Sequence, residues 1–95
     1  MDEVELNLVK DYYLQGDYSL ASQSYEGLLK NNPDNPYLLT NLGSSCFQEQ
    51  EYGKALNSFY KAKKVLPRSK TINNNIQLVN DKVTASQPLF FSYNF

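Results

Sequence analysis

Apolar side chains recur every three or four residues in five stretches of this chain, separated by short polar or proline-containing breaks. That period belongs to helices packed through one face. Leu38, Leu39, Leu42, Cys46 and Phe47 follow Asn35-Pro36, an N-cap and a proline at the first helical position, and predict a helix over about 36–49. A second, over about 52–66, carries Tyr52, Ala55, Leu56, Phe59, Ala62 and Val65 on one side. Pro67 ends it, because a residue before proline is pushed out of the α region. Upstream, helices over about 3–15 and 18–31 are parted by Gln15-Gly16-Asp17 and closed by Asn31-Asn32-Pro33-Asp34. Downstream, Ile72, Ile76, Val79 and Val83 form one narrow apolar stripe among Asn73, Asn74, Gln77 and Asn80, which predicts a helix over about 70–84. The chain reads as all-α, with five helices.

Shifted by 34 residues, the sequence overlays itself. Leu8 falls on Leu42, Tyr12 on Cys46, Tyr13 on Phe47, Tyr18 on Tyr52, Ala21 on Ala55, Tyr25 on Phe59, Leu28 on Ala62 and Pro33 on Pro67. Size or apolar character is kept at each pair, so the chain holds two copies of one helix–turn–helix unit. Small residues (Ala21, Gly43, Ala55, Ala62) stand where helices must approach closely. The fifth helix, apolar on one side and polar on the other, has the character of a terminal cap on a stack of repeats. Its many asparagines are weak helix formers, so it should depend on docking against the second unit.

A 34-residue unit of this kind resembles the tetratricopeptide repeat. The second unit carries Leu39-x2-Leu42-Gly43-x2-Cys46, then Ala55-x3-Phe59-x2-Ala62 and Pro67; the first matches at Leu8, Tyr12, Ala21, Tyr25 and Pro33. Glu5 stands where the family prefers a bulky residue and Val9 where it prefers glycine, which weakens the first turn of the first helix or recruits Leu6. Gln50 replaces the turn glycine found at Gly16. The resemblance implies an α-solenoid of two repeats, about 2–35 and 36–69, with a capping helix over about 70–84, so that 1–84 form one domain.

It also implies that the first helix of each repeat lines a concave groove for an extended peptide or partner helix. Mapped through the register, that groove takes Lys10 and Tyr13 from the first repeat, Tyr37, Asn41, Ser44 and Phe47 from the second, and Asn74, Asn75 and Leu78 from the cap. Asparagine amides can pair with a peptide backbone without reading its side chains, and the aromatic rings offer flat contact at low entropic cost. Helix packing is the other reading of Tyr37 and Phe47, and a helix–helix hydrogen bond that of Asn41. Chaperone-binding members of the family grip a C-terminal carboxylate from positions that here hold Leu6, Lys10, Asn41, Thr71 and Asn75, of which only Asn41 fits. Tight binding of chaperone tails is therefore not expected. Residues 75–83 with the following Pro88 are also similar to the segment that joins repeats to the membrane part in bacterial BatE-type aerotolerance proteins.

Composition narrows the chemistry. Histidine is absent and Cys46 is the only cysteine, so one chain has neither a Cys/His zinc site nor a histidine-based triad, and no metal or cofactor is expected. Cys46 sits at a helix-packing position, which favours an inert core thiol, and catalysis is not expected. A single cysteine forms no internal disulfide and points to a reducing, cytoplasmic setting. Nine basic against ten acidic residues give a net charge of -1 and argue against a nucleic-acid partner. The balance is uneven: residues 1–35 carry seven acids and two bases, whereas residues 36–69 carry two acids and five bases. Solvated helix faces account for this, or else opposite ends of neighbouring molecules attract.

After Gln87-Pro88 the chain continues as Leu89-Phe90-Phe91-Ser92-Tyr93-Asn94-Phe95. Within this 85–95 tail, Leu89, Phe90, Phe91, Tyr93 and Phe95 need cover from water. They pack on their own helices, sit in a neighbour's groove as a built-in ligand and drive homo-oligomer assembly, or lead into a membrane or second-domain segment of a longer protein. The leading expectation is a protein-interaction module; the rival is a self-associating structural unit.

Overall fold

The computed structural model describes residues 3–86, and among these it holds five α-helices and no strand. They are α1 (Glu3–Leu14), α2 (Tyr18–Leu29), α3 (Pro36–Gln48), α4 (Tyr52–Val65) and α5 (Lys70–Ser86). Each boundary lies within two residues of the one that spacing predicts. Local chemistry explains the starts. Asn35 Oδ1 accepts from the Leu38 N–H at 3.1 Å, with Pro36 opening α3. Ser69 Oγ accepts from the Ile72 N–H at 3.2 Å and caps α5 in the same way.

The two units repeat in geometry as well as in sequence. The Asp17 N–H reaches the Tyr12 carbonyl at 2.8 Å and the Gly16 N–H the Tyr13 carbonyl at 3.0 Å. Thirty-four residues on, the Glu51 N–H reaches Cys46 at 2.9 Å and the Gln50 N–H reaches Phe47 at 3.0 Å. This double bond closes a helix through a left-handed residue, Gly16 at φ 85° and Gln50 at φ 63°. Glycine adopts that conformation freely; a side chain does not. Gln50→Gly should therefore raise stability by up to ~1 kcal/mol, read as a later midpoint in urea unfolding.

Each helix packs chiefly on its chain neighbours, with α3 between α2 and α4 and also touching α5. The result is elongated, 53 × 29 × 20 Å. Leu38, Leu39, Leu42 and Cys46 of α3 meet Ala55, Phe59 and Ala62 of α4 in the core, and Ile72, Ile76 and Val79 bring α5 onto it. Close approach of α3 and α4 needs Gly43: a Cβ there would lie 2.5 Å from Phe59 Cε1. Ser22 Oγ donates to Glu49 Oε1 at 2.9 Å and ties α2 to the end of α3.

Two residues depart from the predicted apolar faces. Val65 lies in the last turn of α4, at the edge of the buried stripe, and points outward. Leu8 is 53% exposed, although its mate Leu42 is 8% exposed, because no described helix precedes α1 as α2 precedes α3. At Glu5 the helix is kept: α1 begins at Glu3, and Leu6 is recruited to the core edge. Among the described residues no helix is long and apolar enough to cross a membrane. The tail residues Leu89, Phe90, Phe91, Tyr93 and Phe95 lie outside the described residues.

Candidate functional site

Successive residues turn by about 100° around a helix, so Tyr37, Asn41 and Ser44 share one side of α3 while Leu39, Leu42 and Cys46 occupy the other. Both sides border clefts. On the first, Lys10, Tyr13 and Leu14 of α1 face Tyr37, Asn41 and Ser44 across a cleft of about 260 Å³, with Tyr25 of α2 beneath. A second cleft of about 120 Å³ adjoins it, since Tyr13 and Ser44 line both. There Phe47 and Gln48 meet Asn75, Leu78 and Val79 of α5 over the Phe59 ring. Eight of the nine residues that the register assigns to a groove thus line these two adjoining clefts, which together draw on α1, α3 and α5. Asn74 is exposed and lines neither part.

Aromatic contacts set the walls. Tyr13 meets Tyr18 edge to face at 5.2 Å between ring centres, and Phe47 meets Tyr52 at 5.7 Å. Each pair joins the first and second helix of its unit, and the two pairs are related by the same 34-residue shift. Tyr13 and Phe47 therefore hold helices together and border the clefts at once. Tyr37 is 47% exposed and offers a free ring face at the rim of the first. Tyr25 and its mate Phe59, paired by the 34-residue shift, each line one of the two clefts. Burial, with smaller effects of Tyr37 and Tyr13, pushes the Tyr25 hydroxyl up to about 12, so it stays a hydrogen-bond donor. Among the described residues, Lys10 is the one cation that lines these two clefts.

The opposite side of α3 carries a larger cleft, about 480 Å³, between α2 and α4. Leu29, Leu39, Leu42 and Cys46 form its floor, and Lys30, Lys54 and Lys61 its rim. Lys54 is already paired, with Nζ 3.0 Å from Glu51 Oε2. Sequence spacing marks these lysines only as solvated positions, because the cleft draws its lining from residues far apart in the chain. Cys46 is 2% exposed at its base. Burial, reinforced by Glu49, Glu51 and Glu26, pushes its thiol from near 9 up to about 11.

Two consequences follow for Cys46. At pH 8 it should alkylate on the order of 100-fold more slowly than an unfolded thiol, measured with iodoacetamide before and after denaturation. Between about pH 9 and 11 the unfolded thiol has lost its proton and the folded one keeps it. The unfolded chain then binds fewer protons, so stability falls as pH rises through that window, and Tyr25 extends the fall towards pH 12.

No protein-family model matches the chain, and no curated protein matches it. Among the described residues, no group of three or more Cys, Asp or Glu side chains is placed to hold a metal ion.

Proposed function

We propose that this chain is a two-repeat, tetratricopeptide-like interaction module, a short α-solenoid closed by α5, and that it binds a peptide or partner protein along the depression formed by α1, α3 and α5. The observation that carries the reading is that two adjoining clefts share Tyr13 and Ser44 and together gather Lys10, Tyr37, Asn41, Phe47, Asn75 and Leu78. Such a surface suits an extended segment with apolar side chains at intervals. The rings supply contact area, and the Asn41 and Asn75 amides can pair with its backbone. One lysine is too little charge to hold a carboxylate strongly, and Leu6 is turned into the core edge, so acidic C-terminal tails are not the preferred class. The buried, protonated thiol of Cys46 fits a binding module better than a catalyst.

Selection of a displayed random-peptide library tests this reading. Peptides enriched on the full-length protein should bind Tyr37→Ala/Asn41→Ala at least ~10-fold more weakly in calorimetry, the loss usual for central interface residues. Equal affinity for both proteins would count against the depression as the site.

A further inference from the structure

Repetition of the unit leaves one face of the stack without the cover that its counterpart has. In the second unit Leu39, Leu42 and Cys46 are buried beside a wall that the end of α2 and the turn after it supply through Leu29, Lys30 and Pro33. Shifted by 34 residues, the same floor is Glu5, Leu8 and Tyr12 of α1. A groove of about 290 Å³ runs over it, with Gly27 and Leu28 of α2 on its inner side. No described helix stands where the outer wall belongs. Gly27 has open space where its side chain would be, which admits close approach by another backbone.

Charge says what kind of surface fits there. The first turn of α1 bears Glu3 and Glu5, at the acidic end of the chain. The far end is its complement: Lys63 and Lys64 close α4, Arg68 and Lys70 follow, and Tyr60, Val65 and Leu66 are all more than 40% exposed among them. One end is an apolar groove with an acidic edge, and the other bears Tyr60 on the same side of α4 as Lys63 and Lys64, with Val65 about 140° further around the helix. Two acidic ends placed together would repel, so a symmetric end-to-end pair is disfavoured and head-to-tail contact is favoured. α5 already occupies the flank of α4 that a second α1 would need in a simple continuation of the stack, which leaves the outer edge of α4.

We infer that a second copy of this chain docks the Tyr60 side of its α4 into the α1/α2 groove, with Lys63 and Lys64 against Glu3 and Glu5. This contact is separate from the depression on α1, α3 and α5 and does not depend on its role. Being heterologous, it repeats from copy to copy and gives open chains whose mean length grows with concentration.

Sedimentation of the full-length protein tests it. The mass should rise with concentration at ~0.01 M salt and fall towards monomer at ~1 M, as the screening length drops from about 30 Å to about 3 Å. Glu3→Lys/Glu5→Lys and Lys63→Glu/Lys64→Glu should each weaken association more than ~10-fold, and mixing the two variants should restore it, because each supplies the charge that the other now complements. Gly27→Gln, which fills the groove while raising helix propensity, should also weaken association and guards against fraying of α1 in the first variant. Phe90→Ser/Phe91→Ser should leave it unchanged. A monomeric wild type at low salt, no rescue on mixing, or loss of association only in the Phe90/Phe91 variant would overturn the inference.

Discussion

Phe59→Ala should lower the melting temperature by ~15 °C or more, followed by circular dichroism. The ring is 2% exposed, packs against Gly43 across the α3–α4 contact, and floors the cleft beside α5. Its removal takes large apolar area out of a core assembled from few residues and leaves a cavity that neighbouring helices only partly close. Such truncations cost about 3–5 kcal/mol. A chain of this size has a total stability of roughly 5–10 kcal/mol, and each kcal/mol moves its midpoint by about 4–8 °C. The variant should sit close to unfolding at body temperature. A shift below ~5 °C would mean that the ring contributes little to the core.

Gly43→Ala should be the second most damaging change, although alanine is the better helix former. The added Cβ would stand 2.5, 2.7 and 2.8 Å from three carbons of the Phe59 ring. Carbon atoms do not remain that close, and the buried ring has little room to turn away. Helix propensity returns ~1 kcal/mol, while overpacking of this kind costs about 1–3 kcal/mol and sometimes more. The net loss should be up to about 2 kcal/mol, or at most roughly 8–16 °C in the midpoint. Because both substitutions act on one contact, they should not add. In the double variant Gly43→Ala/Phe59→Ala the new methyl meets a cavity instead of a ring, so its cost should vanish or change sign. Simple additivity would show that α3 and α4 do not touch at this point.

Much of this fold was legible because its signals are local and written twice. Asn35-Pro36 and Pro67 mark ends by their own backbone chemistry, and the pairs Tyr12/Cys46 and Tyr25/Phe59 give the same helix faces in both units. Gln50 also behaved as its alignment with Gly16 required, at positive φ. What escaped depends on neighbours. Leu8 looks as apolar as Leu42, yet its burial is decided by whether a helix precedes α1. Val65 continues the stripe of α4 but falls beyond its covered part. Ser69 caps α5 without standing out among the polar residues around it.

The depression shows the same division. Tyr37, Asn41, Ser44 and Phe47 were placed on a groove by the resemblance to the repeat family, and Lys10, Tyr13, Asn75 and Leu78 by carrying that placement through the 34-residue register; all eight line the two adjoining clefts. Asn74 was assigned by the same register, but it points away from Asn75 by about 100° and misses the wall. The cleft between α2 and α4 has no sequence signal of its own, since its lining comes from separate helices brought together only by the fold.

Because α3 separates two clefts on opposite sides, the location of a bound peptide decides the matter. Amide resonances of the isotope-labelled protein should be followed while a library-selected peptide is added. Shifts should gather at Lys10, Tyr13, Tyr37, Asn41, Phe47 and Asn75. Shifts gathered instead at Leu29, Lys30, Asn57 and Lys61, with Tyr37 and Asn41 unmoved, would contradict it.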